Sequence, residues 1–506
     1  MNLKDLTKTI INIERRNDVN SITYNSINIW PLVRLGMYVG NSGKSDSAKV
    51  KAVLGERVFY QVVKKARGIK WWFQYKTLKK EMKHIGEIDC LFYSRREDHS
   101  DNMAGKLFNR HIDPVIGALR KEHTCFKIEM TSNVSSEVRY EPTYFVKFQA
   151  AEGYNLTLPK EVKRDKKVNE FSLIDEFNEG LEIEEKINKD WLENNAKIID
   201  VYTYFFKEVL SFIKPKVVFL VCFYSPVSMA LIRACKQLGI QTIEIQHGKQ
   251  GKYHPMYSNW TRIPENGYEL LPDQFWVWGE ESKKNIENNR KLNKNKHNAV
   301  IAGNEWIRFW KKIDENEKMS SLDIKEKNFI KRIKKYKKVI LFSGQEDIPD
   351  FVIEAINKSD NDYFWLIRLH PIHQKNNRID IENKMKKNIM LNFDIENSSE
   401  LALYLLLENS DIHVTNYSSV CYEALSFNVP TIITHETGLF MYDSYIKEEI
   451  FLYSDDSESL LECISSLDGL DSKKETSPYI ETSEKLMANA IDVMFDDMNI
   501  LAADNK

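Results

Sequence analysis

A pair of adjacent serines, Ser418 and Ser419, stands where a phosphate could bind. The apolar run before the pair is typical of a strand, the pattern breaks at Asn416, and the run Val420–Leu425 predicts an amphipathic helix. The serines then fall on the turn at which that helix begins, where unpaired N–H groups and the helix dipole favour an anion. Glu423, inside the helix, could accept hydrogen bonds from ribose hydroxyls. The alternative is a serine N-cap on an ordinary crossover helix.

A second polar group follows a strongly apolar stretch. The segment Asp362–Pro371 is typical of a buried parallel strand that ends in Arg368, His370 and Pro371. Ligands of open α/β sheets bind at the carboxyl ends of the strands, so these residues are placed to meet one. With the serine pair, they indicate a nucleotide site at one edge of a parallel sheet.

The HP dipeptide at His370 and Pro371, followed later by a serine pair that opens a helix, resembles the donor-binding half of GT-B transferases that build bacterial surface polymers. The pattern is similar to capsule and lipopolysaccharide Kdo transferases, to polysialyltransferases and to the CDP-glycerol glycerophosphotransferases of teichoic acid synthesis. In that group the two motifs hold a cytidine nucleotide. The resemblance implies these nucleotide-binding candidates: His370, Pro371, Arg368, Ser418, Ser419, Glu423 and Asn416.

The turn after the predicted strand Lys338–Phe342 contains Gly344 and Gln345. Glycine lets the backbone approach a ligand closely. We therefore expect these two residues, in the first βα turn of the second domain, to touch the donor phosphate or sugar. The turn has neither the GxGxxG nor the P-loop spacing, which disfavours a dinucleotide-binding or kinase interpretation.

A predicted βαβ unit ends at the strand Thr242–Ile245 and leads into a loop with His247, Gly248, Lys249 and His254. In the teichoic acid polymerases that the chain resembles, a histidine followed by glycine is the proposed catalytic base, so the resemblance implies that role for His247. A neutral imidazole near pH 7 suits proton removal from a hydroxyl. The alternative is a structural histidine at a strand end. Gly248, Lys249 and His254 are acceptor-side candidates, although His254, before a proline, also suits fixing the loop.

The loop after the predicted strand Ile88–Tyr93 is rich in charge and includes Glu97, Asp98 and His99. If the strand opens a βα unit, the loop lies at its carboxyl end, and one of these side chains could act as a general base on an acceptor hydroxyl. The alternative is a solvated charged loop.

The segment Arg57–Lys83 interleaves lysines and arginines with aromatic residues. A helix of this composition suits an anionic membrane surface, which would place the protein at the cytoplasmic face of the inner membrane. A lipid-linked glycan acceptor would fit that location. The alternative is a helix with its aromatic residues in the core and its lysines in solvent.

The composition disfavours several classes of protein. A formal net charge of −2 over 506 residues leaves no overall footprint for nucleic acid, and no nucleic-acid partner is expected. The six cysteines show no metal-ligand spacing and no DxD motif marks an N-terminal nucleotide fold, so we expect neither metal nor cofactor. The N-terminal segment lacks a signal-peptide core and no window is apolar enough to span a bilayer. These features predict a cytoplasmic protein.

The alternation of strands and helices predicts the α/β class, and the resemblance implies the GT-B arrangement of two Rossmann-like domains facing a cleft. We place an acceptor-side domain with a helical N-terminal extension at residues 1–275 and a donor-binding domain at 276–480. The final segment, 481–506, is expected to form a helix that packs back on the first domain.

The expected function is a metal-independent glycosyltransferase that moves a sugar from a nucleotide-sugar donor, CMP-linked and of the Kdo or sialic acid type, to a glycan in capsule, lipopolysaccharide or O-antigen synthesis. The alternatives are a CDP-alditol phosphotransferase of the teichoic acid type and a UDP-, GDP- or dTDP-sugar transferase. A nucleotide-sugar 2-epimerase should instead carry a glycine-rich turn at the serine pair. A non-catalytic GT-B scaffold is the non-enzyme option.

Overall fold

The computed structural model describes most of the chain, in thirteen ranges: 2–41, 57–99, 101–103, 105–132, 137–160, 166–180, 186–288, 296–320, 322–344, 348–369, 381–385, 392–467 and 479–504. The chain divides into two compact units. The first comprises Met1–Ser100, Phe108–Ala302 and Ala488–Lys506, and the second comprises Asp101–Leu107 and Gly303–Met487. Two predictions, His370–Pro371 and Gln345, lie outside the described residues.

The helices of the first unit and its flanks are α1 (Leu3–Arg16), α2 (Trp30–Asn41), α3 (Arg57–Ile85), α4 (Asp113–Leu119), α5 (Phe148–Asn155), α6 (Phe171–Glu179), α7 (Lys189–Ile213), α8 (Pro226–Gln237) and α9 (Glu280–Glu287). The helices that follow are α10 (Glu305–Lys312), α11 (Glu315–Ser320), α12 (Ile324–Ile333), α13 (Asp350–Lys358), α14 (Glu396–Glu400), α15 (Leu403–Glu408), α16 (Val420–Ser426), α17 (Glu436–Met441), α18 (Asp443–Lys447), α19 (Ser457–Ser466) and α20 (Glu484–Asp504).

The strands up to residue 301 are β1 (Thr23–Tyr24), β2 (Ile27–Asn28), β3 (Cys90–Arg95), β4 (Asp101–Met103), β5 (Lys106–Phe108), β6 (Cys125–Thr131), β7 (Thr143–Lys147), β8 (Val217–Val221), β9 (Gln241–Ile245), β10 (Gln274–Val277) and β11 (Asn298–Ile301). The later strands are β12 (Lys338–Ser343), β13 (Tyr363–Arg368), β14 (Phe393–Asp394), β15 (Ile412–Thr415), β16 (Thr431–Ile433) and β17 (Phe451–Tyr453).

The first unit contains a parallel sheet in the order β11-β10-β9-β8-β3-β6-β7. Its central strands, such as β8 with the sequence VVFLV, are buried along their whole length, as expected for a sheet covered by helices on both faces. The chain enters at β3, builds towards β7, and then returns to build from β8 towards β11. The direction of strand order therefore reverses between β3 and β8.

The second unit repeats this plan with a parallel sheet in the order β14-β13-β12-β15-β16-β17. Its first strand is β12, and the strand order reverses between β12 and β15. The apolar side chains of its strands and crossover helices form a hydrophobic core of their own. Two parallel, helix-covered sheets confirm the predicted α/β class with two Rossmann-like domains.

Some boundaries differ from those expected. The strand β11 pairs with β10 in the first sheet, so the first unit continues to Ala302 rather than ending at residue 275. The end of α20 clusters with the first unit, where Phe495 stacks on His123 at a ring-centroid distance of 4.2 Å. The sequence predicts a helix from about Met103 to Arg120, interrupted by Pro114, but the chain forms a short hairpin of β4 and β5 followed by α4.

Within the described ranges, no helix has the length and apolarity needed to cross a bilayer.

Candidate functional site

The reversal point of the second sheet gathers several of the predicted donor-binding residues. Gly344 follows β12, and Asn416, Ser418 and Ser419 follow β15. These two strands are hydrogen-bonded neighbours, so their carboxyl ends lie side by side. In open α/β sheets this is the position at which ligands bind.

Hydrogen bonds tie the turn after β15 to the end of β12. The Thr415 hydroxyl donates to the Ser343 carbonyl oxygen (2.6 Å) and accepts from the Ser418 N–H (3.1 Å). The Ser418 hydroxyl oxygen in turn accepts from the Val420 N–H at 3.4 Å. Ser418 is buried, and Ser419, the residue just before α16, is half-buried. The turn is thus fixed from within before any ligand binds.

The helix α17 supports the same turn from outside. Gly438 packs against it so closely that an added Cβ would lie 2.2 Å from the Asn416 carbonyl oxygen. The Asn416 side-chain oxygen accepts from the Thr434 hydroxyl at 3.2 Å. The Tyr442 hydroxyl reaches the backbone carbonyl oxygen of Ser418 at 3.1 Å. Asn416 therefore serves the shape of the turn with its own side chain.

Two predicted ligand contacts already have protein partners. The Glu423 carboxylate, 6% exposed, accepts from the Tyr404 hydroxyl at 2.6 Å. Arg368 donates from Nη1 to the carbonyl oxygens of Ser398 (3.0 Å) and Leu401 (2.6 Å). The expected roles of Glu423 at a ribose and of Arg368 at a phosphate therefore compete with contacts that hold neighbouring helices.

Sequence reasoning missed His413, which lies in the middle of β15. Its ring bridges neighbouring strands, with Nε2 2.7 Å from the Ser343 hydroxyl and Nδ1 3.0 Å from the Thr431 hydroxyl. Burial lowers the pKa of His413 to about 3, so the ring is neutral. A histidine inside an otherwise apolar strand was the available signal, and its role is to join strands beneath the site.

In the first unit, His247 follows β9 and has two polar neighbours. Its Nδ1 lies 3.7 Å from Oε1 of Glu244, and its Nε2 lies 3.5 Å from the Tyr224 hydroxyl. Glu244 is fully buried. Across the described residues, the buried Nδ1 atom has no partner within hydrogen-bonding distance.

These neighbours set the charge of His247. Burial alone lowers the pKa of its imidazole, but the nearby Cys222 and Glu244 side chains outweigh burial and raise the pKa to about 10. The ring is then an imidazolium at pH 7, which differs from the neutral imidazole expected from the sequence. Cys222 itself directly follows β8 in the left-handed region, with φ at 59°, a costly conformation for a residue other than glycine.

The acceptor-side candidates lie in the loop after His247. The Gly248 carbonyl oxygen accepts from the Gln246 side chain at 2.8 Å, and Lys249 is half-buried. The ring of His254 packs on Tyr257 at a centroid distance of 4.7 Å, and its Nδ1 accepts from the Met256 N–H at 3.3 Å. Burial and the nearby charge of His247 lower the pKa of His254 to about 3. This geometry fits a residue that fixes the loop.

The loop after β3 holds its own charges. Asp98 caps the short 3₁₀ turn by accepting from the Arg95 N–H at 2.8 Å and from the Arg95 guanidinium at 2.9 Å. The ring of His99 is buried, and burial together with Lys127 and Arg139 lowers its pKa to about 3. Asp98 and His99 thus have structural partners, which argues against a base role for either. The Glu97 side chain lies outside the described part of the chain.

Glu244 and Tyr257 are the other residues that sequence reasoning missed. The Tyr257 hydroxyl donates to Glu244 at 2.5 Å, and both residues are buried. The available signal was a single carboxylate inside the apolar strand that precedes His247.

Two Rossmann-like sheets with polar residues at their carboxyl ends form an arrangement in which open α/β proteins bind ligands. Residues 344–459 match the family model described as "CDP-Glycerol:Poly(glycerophosphate) glycerophosphotransferase". The matched region begins at Gly344 and includes the turn at Ser418. The match supports a transferase.

The fold has relatives among solved structures. UDP-GlcNAc 2-epimerase from Neisseria meningitidis bound to UDP-GlcNAc is 18% identical, with a TM-score of 0.48, over 81% of this chain and 98% of that one. The wall teichoic acid polymerase TagF is 10% identical, with a TM-score of 0.45, over 88% of this chain and 100% of that one. These values are too low to bear on function. A search of the curated proteins found no match.

Proposed function

We propose that the protein is a phosphotransferase that moves an alditol phosphate from a CDP-alditol to a hydroxyl of a glycan or lipid-linked glycan acceptor. The observation that carries this proposal is the family match over residues 344–459. The match favours a CDP-alditol donor, which was the alternative. The donor expected first, a CMP-linked Kdo or sialic acid, has no support from the comparisons. In the reaction, the acceptor oxygen attacks the phosphorus that bears the alditol, the bond to CMP breaks, and the acceptor proton is lost.

Ser418 and Ser419 are the described residues that we assign to the donor phosphates. They lie at the reversal point of the second sheet, beside Gly344, and their turn is held rigid by Thr415 and Tyr442. A rigid turn that offers N–H and hydroxyl donors stabilises negative charge on a phosphate without reorganising. His370, Pro371 and Gln345 remain predicted members of this site.

His247 is the residue of the first unit that we assign to the reaction. Its raised pKa makes it a cation at pH 7, and we infer that it donates a hydrogen bond to a phosphate oxygen. Phosphoryl transfer depends chiefly on positioning and charge stabilisation, so a fixed cation suits it. Activity should then fall as pH rises through about 10, whereas activity that climbs through that range would assign His247 as the base instead.

Binding of nucleotides to the purified protein tests the donor. We expect CDP and CDP-glycerol to raise the melting temperature more than UDP, GDP or dTDP, because a ligand that binds only the folded state stabilises it. Replacing both serines in Ser418→Ala/Ser419→Ala should reduce the shift in melting temperature, and Ser465→Ala, on the exposed face of α19, should not.

Transfer of labelled glycerol phosphate to an acceptor tests the reaction. A shift with UDP alone would refute the cytidine assignment.

An acceptor carried by lipid would place the protein at a membrane surface, and α3 has a suitable face. Ile69 (62%), Trp72 (37%) and Phe73 (60%) are exposed, and Lys76 lies over the Trp72 ring at 5.1 Å. Exposed apolar side chains beside lysines fit an anionic bilayer surface. This face supports the proposed peripheral association.

Sedimentation with lipid vesicles tests that association. The protein should bind vesicles that contain phosphatidylglycerol more strongly than phosphatidylcholine vesicles. Trp72→Ser/Phe73→Ser should weaken binding, whereas Phe440→Ser, which removes an aromatic ring of comparable exposure (43%) from α17, should not. Equal binding of wild type and the double variant would exclude α3 as the contact.

A further inference from the structure

We propose that Glu244 is a positioning residue that orients the His247 ring through Nδ1 for its contact with phosphate. The inference rests on the proposed function, because it takes His247 as the group that meets the phosphate. It concerns a carboxylate three residues before that histidine, in the strand that delivers it to the edge of the sheet.

Glu244 is held by donors that leave its charge in place. Its Oε1 accepts from the Tyr257 hydroxyl at 2.5 Å, and its Oε2 accepts from the Phe223 N–H at 3.2 Å. Both donors are neutral, and both approach a carboxylate that is fully buried. Among the described residues, the carboxylate is paired with the imidazolium of His247, with Nδ1 3.7 Å from Oε1.

The geometry of Nδ1 points to the same pair. A buried polar atom with no hydrogen bond is costly, and native proteins rarely leave one so. Among the described residues Nδ1 of His247 has no such partner, and the Glu244 oxygen lies just beyond hydrogen-bonding range. Catalytic hydrogen bonds are often long in the absence of ligand and shorten in the complex. A small rotation of the ring would close this one.

A second histidine in the same unit, His99, also lies near a buried carboxylate, but that carboxylate is already paired with an arginine. Nδ1 of His99 also lies 3.7 Å from a buried carboxylate, that of Glu129. Arg139 neutralises Glu129 through two hydrogen bonds, at 2.7 and 2.9 Å. Burial and the nearby cations lower the pKa of His99, whereas the pKa of His247 is raised. The same distance thus accompanies opposite results, because Glu129 is already paired with Arg139, whereas Glu244, together with Cys222, acts on His247.

The loop that carries Tyr257 is anchored to the N-terminal helices. Arg34 donates from Nη2 to the carbonyl oxygens of Pro255 and, at 2.9 Å, of Ser258. Glu14 pairs with Arg34 at 2.9 Å and accepts from the Thr261 N–H at 2.8 Å. These contacts hold the loop of Tyr257 in place, and Tyr257 in turn holds Glu244. The Glu244 carboxylate therefore keeps its position when the His247 ring rotates.

Within the described part of the chain, six titratable groups face His247 and influence its charge, and Glu244 is one of them. The titratable groups that face the ring are Cys222 and Tyr224 after β8, Glu244 on β9, His254 and Tyr257 on the loop, and His111 before α4. The two neighbouring histidines have lowered pKa values and add no positive charge. Only Cys222 shares with Glu244 the capacity to stabilise the imidazolium.

Titration of His247 by NMR in ¹³C- and ¹⁵N-histidine-labelled protein tests the proposal without any donor or acceptor. In Glu244→Gln we expect the pKa of His247 to fall clearly below about 10, because the amide offers no charge and Cys222 then acts on the ring alone. Tyr257→Phe retains the carboxylate and should leave the pKa raised. If Glu244→Gln fails to fold, Tyr257→Phe serves as the folded variant for comparison. In Tyr257→Phe, the proposal requires the His247 signal to titrate near 10. The control Glu269→Gln removes an exposed carboxylate paired with Arg233 and should change nothing.

The activity of the same variants gives a second result. Glu244→Gln should lower kcat/KM by on the order of 10- to 100-fold and move the alkaline loss of activity towards neutral pH. A His247 pKa unchanged in Glu244→Gln, or near 6.5 in wild type, would overturn the proposal. If the pKa falls as expected but no transfer from CDP-glycerol is ever detected, the positioning role stands and the proposed function fails.

Discussion

The carboxylate of Glu14 is shared among several parts of the first unit. It pairs with Arg34, accepts from the Trp30 indole at 2.8 Å, and accepts from the Thr261 backbone. The Arg34 guanidinium also lies 3.8 Å from the centroid of the Trp260 ring. Both charged side chains are fully buried, so each depends on the other to offset its loss of hydration.

Removing one charge of this pair should therefore be costly. Glu14→Gln leaves the Arg34 guanidinium buried without its counter-charge, and we expect the free energy of unfolding to fall by about 3–5 kcal/mol. Urea denaturation followed by tryptophan fluorescence measures the change. Glu87→Gln breaks an ion pair with Lys214 whose side chains are 71% and 63% exposed, and should leave the midpoint unaltered. Equal midpoints for wild type and Glu14→Gln would show that the pair contributes no net stability.

The sequence predicts residues well where local pattern decides their position. Ser418 and Ser419 lie on a turn between a strand and a helix, as their apolar flanks indicated. Glu244 could not be assigned a role, because its function depends on Tyr257 and His247 meeting it in space. The Glu423 carboxylate was expected at a ligand, but the structure pairs it with Tyr404, a residue from another helix that no local pattern connects to it.

At the scale of the element, α17 holds the turn after β15 in place. An added Cβ at Gly438 would lie 2.2 Å from the Asn416 carbonyl oxygen and 2.4 Å from Cγ2 of Ile433. Neither backbone nor a packed strand side chain can yield at such a distance without moving the element that carries it. The contact therefore couples the position of α17 to the shape of the candidate phosphate turn.

Gly438→Ala should consequently push α17 away from the turn. We expect a loss of stability of about 1–3 kcal/mol, as for other overpacked sites, together with weaker binding of CDP measured by calorimetry. The control is Gly117→Ala in α4, where an added Cβ meets nothing within 4 Å. That change should raise stability by about 0.5–1 kcal/mol through helix propensity. If Gly438→Ala binds CDP as tightly as wild type, the shape of the turn after β15 does not determine nucleotide binding.

Elements were predictable where the apolar period was unbroken. The strands β3, β9, β12 and β13 lie within a few residues of their expected positions, because a continuous apolar run bounded by polar residues has few other solutions. No strand was predicted at β6 or β7. The hairpin before α4 was missed. Gly105 turns there with φ at 73°, and Pro114 stands in the first turn of α4, where it starts a helix rather than interrupting one. The pairing of β11 with β10 depends on tertiary contacts and could not be predicted from the sequence.

For the whole molecule, buried histidines set the pH range of stability. Burial, with added repulsion from nearby cations at two of them, lowers the pKa of His99, His254 and His413 to about 3. Below pH 6.5, the ordinary histidine pKa, these side chains are protonated in the unfolded chain but not in the folded chain. The free energy of unfolding therefore falls as pH drops below 6.5. His247 acts in the opposite sense. With its pKa raised to about 10, its contribution is fully present below 6.5 and is lost as pH rises through 10.

Stability should thus be greatest near pH 6.5, because the neutral histidines lose stability below that pH and His247 loses its contribution between 6.5 and about 10. Each of the three neutral histidines should cost roughly 1.4 kcal/mol at one pH unit below its ordinary pKa, and His247, whose contribution is already complete at that pH, does not offset the loss. Scanning calorimetry from pH 5 to 10 should show the melting temperature falling at both ends. His413→Asn should make the acid limb shallower and leave the alkaline limb unchanged, while His247→Asn should flatten the alkaline limb. A melting temperature that rises from pH 7 to pH 5 would contradict the buried, neutral state of these rings.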